Sequence, residues 1–116
     1  MSYQSAAGYI LGDAALDALG NPVRRAILQR LAAGPMSVGA IAAELPISRP
    51  AVSRHLSVLK DAELVTDSAS GTNRHYSLNK TGFASLQLWL EEFWADAEAG
   101  FWLVAENIPD QKRRND

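Results

Sequence analysis

Apolar positions recur at the three- and four-residue spacing of a helix face in most of the chain and alternate only in one short stretch. Leu16 and Leu19 form the first helical pair, with Asp13 as a cap and Gly20 as a stop. Asn21-Pro22 opens a second helix, carrying Val23, Ile27, Leu28 and Leu31 along one side and ended by Gly34-Pro35. Ser37 caps a third helix, whose inward positions are Val38, Ile41, Ala42 and Leu45. Pro46 closes it after about two turns, because the residue before a proline is pushed out of helical geometry. Ser48 is the next cap. Arg49 and Pro50 fall in the first turn, where proline is tolerated, and the helix runs to about Ala62. Short helix, tight turn and longer helix is the spacing of a helix-turn-helix.

Leu64 to Ser68 and Arg74 to Leu78 read as two strands joined by a Gly- and Asn-containing turn over 70–73, a wing directly after the helix-turn-helix. Asn79 or Thr81 caps a long last helix, in which Phe83, Leu86, Leu90, Phe93 and Ala97 form a stripe expected to pack on the domain. Gly100 is a candidate kink or break, and Phe101 to Asn107 can continue the helix until Pro109. The pattern predicts a mainly α chain with a small β-hairpin: about five helices plus a two-stranded wing. Residues 1–11 are expected as an N-terminal arm, 12–108 as the folded domain and 109–116 as a charged tail.

On a helical wheel, the helix at 48–62 divides cleanly. Ala51, Val52, His55, Leu56, Val58, Leu59 and Ala62 share one half; Arg49, Pro50, Ser53, Arg54, Ser57, Lys60 and Asp61 share the other. A solubility face mixes Glu and Lys. This one combines short side chains with arginines, which lets a helix lie close to a duplex. Arginine pairs with guanine in the major groove, small hydroxyls reach phosphates, and recognition helices present their N-terminal residues to base edges. Arg49, Pro50, Ser53 and Arg54 are therefore the candidate reading surface, with Ser57 and Lys60 set toward the backbone. Arg74, beside the wing turn, is a further candidate for the backbone or minor groove.

Charge supports that reading only once its distribution is examined. The net charge of −2 suggests no polyanion partner. Yet Asn21 to Lys60 holds six basic residues (Arg24, Arg25, Arg30, Arg49, Arg54, Lys60) against Glu44 alone. Thr81 to Gln111 holds six acids and no Lys or Arg. A local basic face is what phosphate binding needs.

With 116 residues the chain is expected to be one domain, and with no cysteine it has no disulfide, thiolate metal site or thiol nucleophile. No apolar run approaches a membrane span and no basic leader precedes the weakly apolar start, so a soluble cytoplasmic protein is expected. Two isolated histidines make no metal site. His55 sits mid-way along the apolar half of its helix, and both a hydrogen-bonded core position and a phosphate contact remain open. Ser53 and Ser57, each two residues from His55, diverge from it around the helix by about 200° and form no nucleophile–base pair. Neither a phosphate-binding glycine loop nor a catalytic carboxylate pair can be named, so no catalysis and no cofactor are expected.

Six of the nine aromatic residues (Phe83, Trp89, Phe93, Trp94, Phe101, Trp102) lie between positions 83 and 102. Trp89, Trp94 and Trp102 fall outside the packing stripe, and aromatic surface of that kind marks an interface. Self-association is the leading account; a hydrophobic effector pocket between subunits is the other.

The stretches from Leu16 to Leu28, LDALGNPVRRAIL, and from Ile47 to Lys60, ISRPAVSRHLSVLK, together with Arg74-His75-Tyr76-Ser77-Leu78, resemble the ArsR/SmtB family of winged helix-turn-helix repressors. The likeness spans roughly residues 12–95. It implies a homodimer on a near-palindromic DNA operator, joined through its first and last helices, which puts Leu16, Trp89, Phe93, Trp94, Phe101 and Trp102 at the interface. It matches Arg49, Pro50, Ser53 and Arg54 to the family's reading surface and Arg74 to its wing arginine. The family's metal ligands do not carry over. Ile41-Ala42-Ala43-Glu44 stands where paired cysteines would be, and the last helix has acids but no histidine. The resemblance is thus to a metal-independent branch. Glu63 departs from the pattern, standing where many members have glycine. A winged-helix module that docks a protein instead of DNA is the alternative, though such a face would carry apolar anchors in place of arginines and serines.

Overall fold

In the computed structural model, which describes residues 6–107, five helices and three short strands follow in the order α1 (Ala6–Leu19), α2 (Pro22–Leu31), β1 (Met36–Ser37), α3 (Val38–Glu44), α4 (Arg49–Asp61), β2 (Val65–Ser70), β3 (Asn73–Leu78) and α5 (Lys80–Asn107). Three caps stand where the sequence puts them. The Asn21 side chain accepts from the amides of Val23 and Arg24, at 2.8 and 3.2 Å. Ser37 accepts from Ala40 at 3.1 Å and Ser48 from Ala51 at 3.2 Å. Each satisfies helix-start donors that otherwise lack a partner. Asn79 performs this service for α5, accepting from Thr81 at 3.1 Å.

The core gathers one face from each element: Ala15 and Ala18 of α1, Ile27, Leu28 and Leu31 of α2, Ile41 of α3, Val52, Leu56 and Leu59 of α4, then Ala62, Leu64, Val65 and Leu86. Its largest side chains, Ile27, Ile41, Leu56, Leu59 and Leu64, are wholly buried. Each such burial contributes on the order of 1.5–3 kcal/mol, enough for a domain of this size to hold α3 and α4 at a fixed angle without metal or disulfide.

The structure corrects several expectations. α1 begins by Ala6, so Asp13 lies inside the helix instead of capping it and residues 6–11 are helical; residues 1–5 and the 109–116 tail lie outside the described residues. α2 stops at Leu31, three residues before Gly34-Pro35. The wing is three-stranded, in the order β1-β3-β2 and antiparallel throughout, because Met36 and Ser37 pair with Tyr76 and His75. Two residues offer too little alternation to be read as a strand. Ser70 pairs with Asn73, leaving Gly71-Thr72 as a two-residue turn. Gly71 has φ 64°, the left-handed geometry such hairpins demand of their first central residue.

α5 is continuous through Gly100. Its stripe leaves the domain early: Phe83 and Leu86 pack, whereas Leu90 and Phe93 are exposed. The helix begins against a tight corner. A Cβ on Gly82 would overlap the Glu63 carbonyl, and the Asn79 amide donates to Leu64 at 2.8 Å. At 28 residues and about 1.5 Å per residue, α5 extends about 42 Å, far past the core that supports its first turns. Among the described residues no helix is long and apolar enough to cross a membrane.

Candidate nucleic-acid interface

α4 shows why one face is free for a ligand. Val52, Leu56 and Leu59 anchor it in the core, and Arg49, Pro50, Ser53, Arg54, Ser57 and Lys60 all lie exposed on the other side. The Ser48 cap and Pro50 hold the first turn in place, so the N-terminal residues of the outer face have a defined backbone. Two members of the apolar half depart from the wheel. Val58 is 42% exposed, at the edge of a groove lined also by Ala14, Asp17, Ala18, Arg24, Asp61 and Ala62. His55 is half-buried, so it is not a core histidine. Burial first, then the positive charges of Arg24 and Arg54, hold its pKa below the ordinary 6.5 and favour the neutral ring.

The basic stretch read from the sequence sorts into three groups. Arg24 and Arg25 turn back onto the end of α1. Arg24 Nε donates to the Ala18 carbonyl at 2.8 Å and its Nη2 to Asp17 at 3.2 Å, while Arg25 Nη1 donates to Leu19 at 2.7 Å. They satisfy the last carbonyls of that helix and neutralise its dipole. Arg30 pairs with Glu44 at 2.9 Å, joining α2 to α3. Arg49 and Arg54 make neither a hydrogen bond nor an ion pair among the described residues. The Arg49 guanidinium lies over Gly39, close enough that a Cβ there would stand 2.5 Å from Nη2. These two arginines remain available for an anion.

Lys60 and Arg74 form a third arrangement, one the sequence reading did not anticipate. Lys60 Nζ stands 2.9 Å from Asp67 Oδ1, and Arg74 Nη1 donates to Asp67 Oδ2 at 2.7 Å. Arg74 is on strand β3, opposite Ala69, and Asp67 opposes Tyr76, so Asp67 and Arg74 are diagonal neighbours on one sheet face. The Asp67 side chain is only 8% exposed, while those of Lys60 and Arg74 are more than half exposed. Hydrogen bonds from Lys60 and then Arg74 hold its carboxyl below the ordinary aspartate range. Asp67 is the lone acid between Leu64 and Lys80, a signal that the sequence did contain.

The C-terminal end of α4 fixes the angle of the wing. Glu63 takes φ 61°; its amide donates to Lys60 and that of Leu64 to Leu59, each at 2.9 Å. That is a Schellman termination with a non-glycine residue at its left-handed position, closed by contact-forming apolar residues at Leu59 and Leu64. The departure seen at Glu63 thus leaves the helix end in the geometry that a glycine would give.

A helix-turn-helix packed on a third helix and followed by a β-wing defines the winged helix-turn-helix class. Comparison with known proteins agrees. A helix-turn-helix domain family matches residues 19–67. The chain is 53% identical over 98 residues to the HTH-type transcriptional regulator Rv2034 of Mycobacterium tuberculosis, covering 84% of this chain and 92% of that one. It is similar to the homodimeric winged helix-turn-helix DNA-binding domain of Mb0332 from Mycobacterium bovis, with 31% identity, a TM-score of 0.63 and coverage of 85% and 94% of the two chains. An ArsR-like regulator from Rhodococcus sp. RHA1 shares the fold at a TM-score of 0.80 and 24% identity, over 86% and 94%. The chain belongs to the ArsR family of winged helix-turn-helix transcriptional regulators. The relatives named here are regulators rather than enzymes.

Proposed function

We propose that the chain is a homodimeric, sequence-specific DNA-binding transcriptional repressor. It inserts the outer face of α4 into the major groove of each half of a near-palindromic operator. The observation that carries this reading is the exposed outer face of α4. Its rear is locked in the core, its first turn is capped, and it presents Arg49, Ser53 and Arg54 with both guanidiniums unpaired among the described residues. Arg49, Pro50, Ser53 and Arg54 read base edges; Ser57, Lys60 and Arg74 meet the phosphate backbone. Leu16, Trp89, Phe93, Trp94, Phe101 and Trp102 supply the dimer contact. The protein works in the cytoplasm, with the DNA that it reads. Its switching does not use the family's metal sites, since the sequence has no cysteine and no histidine on α5. An effector, where one acts, is a small molecule or protein of unassigned class. No catalytic role is proposed.

The test is a fluorescence-anisotropy titration of a duplex from upstream of the protein's own gene against a scrambled duplex, at two salt concentrations. A preference of about 10³ or more with a steep salt slope is expected for the operator or for a duplex selected from random sequence. Arg54→Ala should remove about 1–3 kcal/mol of that preference while random-duplex binding changes far less. Equal losses on both duplexes would reject base reading by Arg54. Equal weak binding of every duplex by the wild-type protein would favour a protein-docking winged helix.

A further inference from the structure

Lys60 and Arg74 come from different elements, the last turn of α4 and the start of β3 beside the wing turn. A lysine stem has four rotatable carbons and an arginine stem three, so neither cation has a fixed place of its own. Asp67 changes that. Its two carboxylate oxygens are divided between them, Oδ1 to Lys60 at 2.9 Å and Oδ2 to Arg74 at 2.7 Å, from a side chain almost wholly enclosed. One contact consumes a single N–H on each cation. Two ammonium donors on Lys60 and four guanidinium donors on Arg74 remain, on side chains 53% and 56% exposed. The carboxylate is thus covered while both cationic side chains stay open to solvent.

Resting on the DNA-binding reading above, we infer that Asp67 is a positioning residue for DNA: it fixes Lys60 and Arg74 side by side so that α4 and the wing engage neighbouring backbone phosphates at one set spacing. It touches no DNA itself. An acid beside a phosphate-binding surface weakens attraction to every duplex alike, which by simple Coulomb reasoning makes it a liability. In exchange, the register of the recognition helix against the backbone becomes a property of the folded protein. Phosphate contacts set that register, and base contacts need it correct.

The two accounts of Asp67 part at the preference that Asp67→Asn shows between the duplex enriched by wild-type protein from random sequence and a scrambled duplex. If Asp67 is only a repelling charge, its removal raises affinity for both duplexes by the same factor. If it positions, affinity for the scrambled duplex rises with the added positive charge while the preference for the enriched duplex falls about tenfold or more. Asp67→Glu retains the charge but moves the carboxylate, and should also lose preference, without the rise on scrambled DNA. A cycle with Lys60→Gln supplies a readout that altered folding does not mimic. Lys60→Gln should cost about tenfold on the enriched duplex in the wild-type background and about twofold or less with Asn at 67. Additive losses, or an unchanged preference in Asp67→Asn, overturn the positioning role while leaving DNA binding intact. Failure of the wild-type protein to enrich any duplex overturns both readings. Melting curves of each variant confirm that the compared proteins are folded.

Discussion

Residue identity on this surface matters through what each cation is already doing. Six basic residues between Asn21 and Lys60 look alike in a charge count, but Arg24 and Arg25 cap α1, Arg30 crosses to Glu44, and Lys60 leans on Asp67. Arg49 and Arg54 have no such partner among the described residues. His55 is the residue whose reading the sequence left open. Burial and the neighbouring Arg24 and Arg54 favour the neutral form of its half-buried ring. Its folded pKa lies below the unfolded 6.5, so on acidification the unfolded chain takes up the proton first. The stability contributed is complete above the unfolded value and is lost as pH falls through the lowered folded one. Urea midpoints measured from about pH 7 to pH 5 should fall more steeply for wild type than for His55→Gln. Parallel curves for the two proteins would remove His55 from the acid response. Operator affinity of His55→Gln should stay within about twofold of wild type at neutral pH, where a neutral ring lends no charge to a phosphate; a larger loss would make His55 a DNA contact.

At the level of elements, α4 is the piece whose ends were most legible. Ser48, Pro50 and the stop near Ala62 follow from local chemistry, and the buried and exposed halves largely follow the wheel. What the sequence did not show depends on distant partners. Strand β1 exists because β3 offers it an edge, and Val58 is exposed because α1 leaves a groove beside it. The Lys60–Asp67–Arg74 junction requires a hairpin register that no local pattern supplies. The stripe on α5 was correctly periodic, yet periodicity does not say where the supporting domain ends. Glu63 gives a direct test at this scale. Its φ of 61° carries a cost of about 1–2 kcal/mol for a residue with a Cβ, part of which a glycine would return as greater freedom of the unfolded chain. Glu63→Gly should therefore stabilise the fold by about 0.5–1 kcal/mol, seen as a higher urea midpoint at fixed protein concentration. The neighbouring amide bonds to Lys60 and Leu59 are backbone interactions and survive the change. A lower midpoint would show that the Glu63 side chain contributes more than its backbone strain removes.

For the whole molecule, α5 carries an apolar face that the proposed dimer would cover. Phe93, Trp94, Phe101 and Trp102 are 54–61% exposed, and Leu88, Leu103 and Val104 are exposed with them. Monomeric proteins seldom expose contiguous apolar patches beyond a few hundred Å². Trp89 and Phe93 stack at 5.5 Å within 5° of parallel, and Phe101 meets Trp102 edge to face at 5.4 Å, so the aromatics already form paired plates along the helix. Covering aromatic surface of this kind favours association, and a twofold axis along α5 would present two α4 helices to two half-sites. Trp94→Glu with Phe101→Glu would place two carboxylates in that seam. Both positions are exposed and lie beyond Leu86, the last core residue of α5, so helix content and core packing should be retained in circular dichroism and melting. Sedimentation should then report a monomer at concentrations where wild type is dimeric. Operator binding should weaken by about 10² or more, because one half-site lacks the phosphate and base contacts that the pair provides together. A variant that stays dimeric would move the interface away from Trp94 and Phe101. A monomer that bound the operator at wild-type strength would show that one winged helix carries recognition alone.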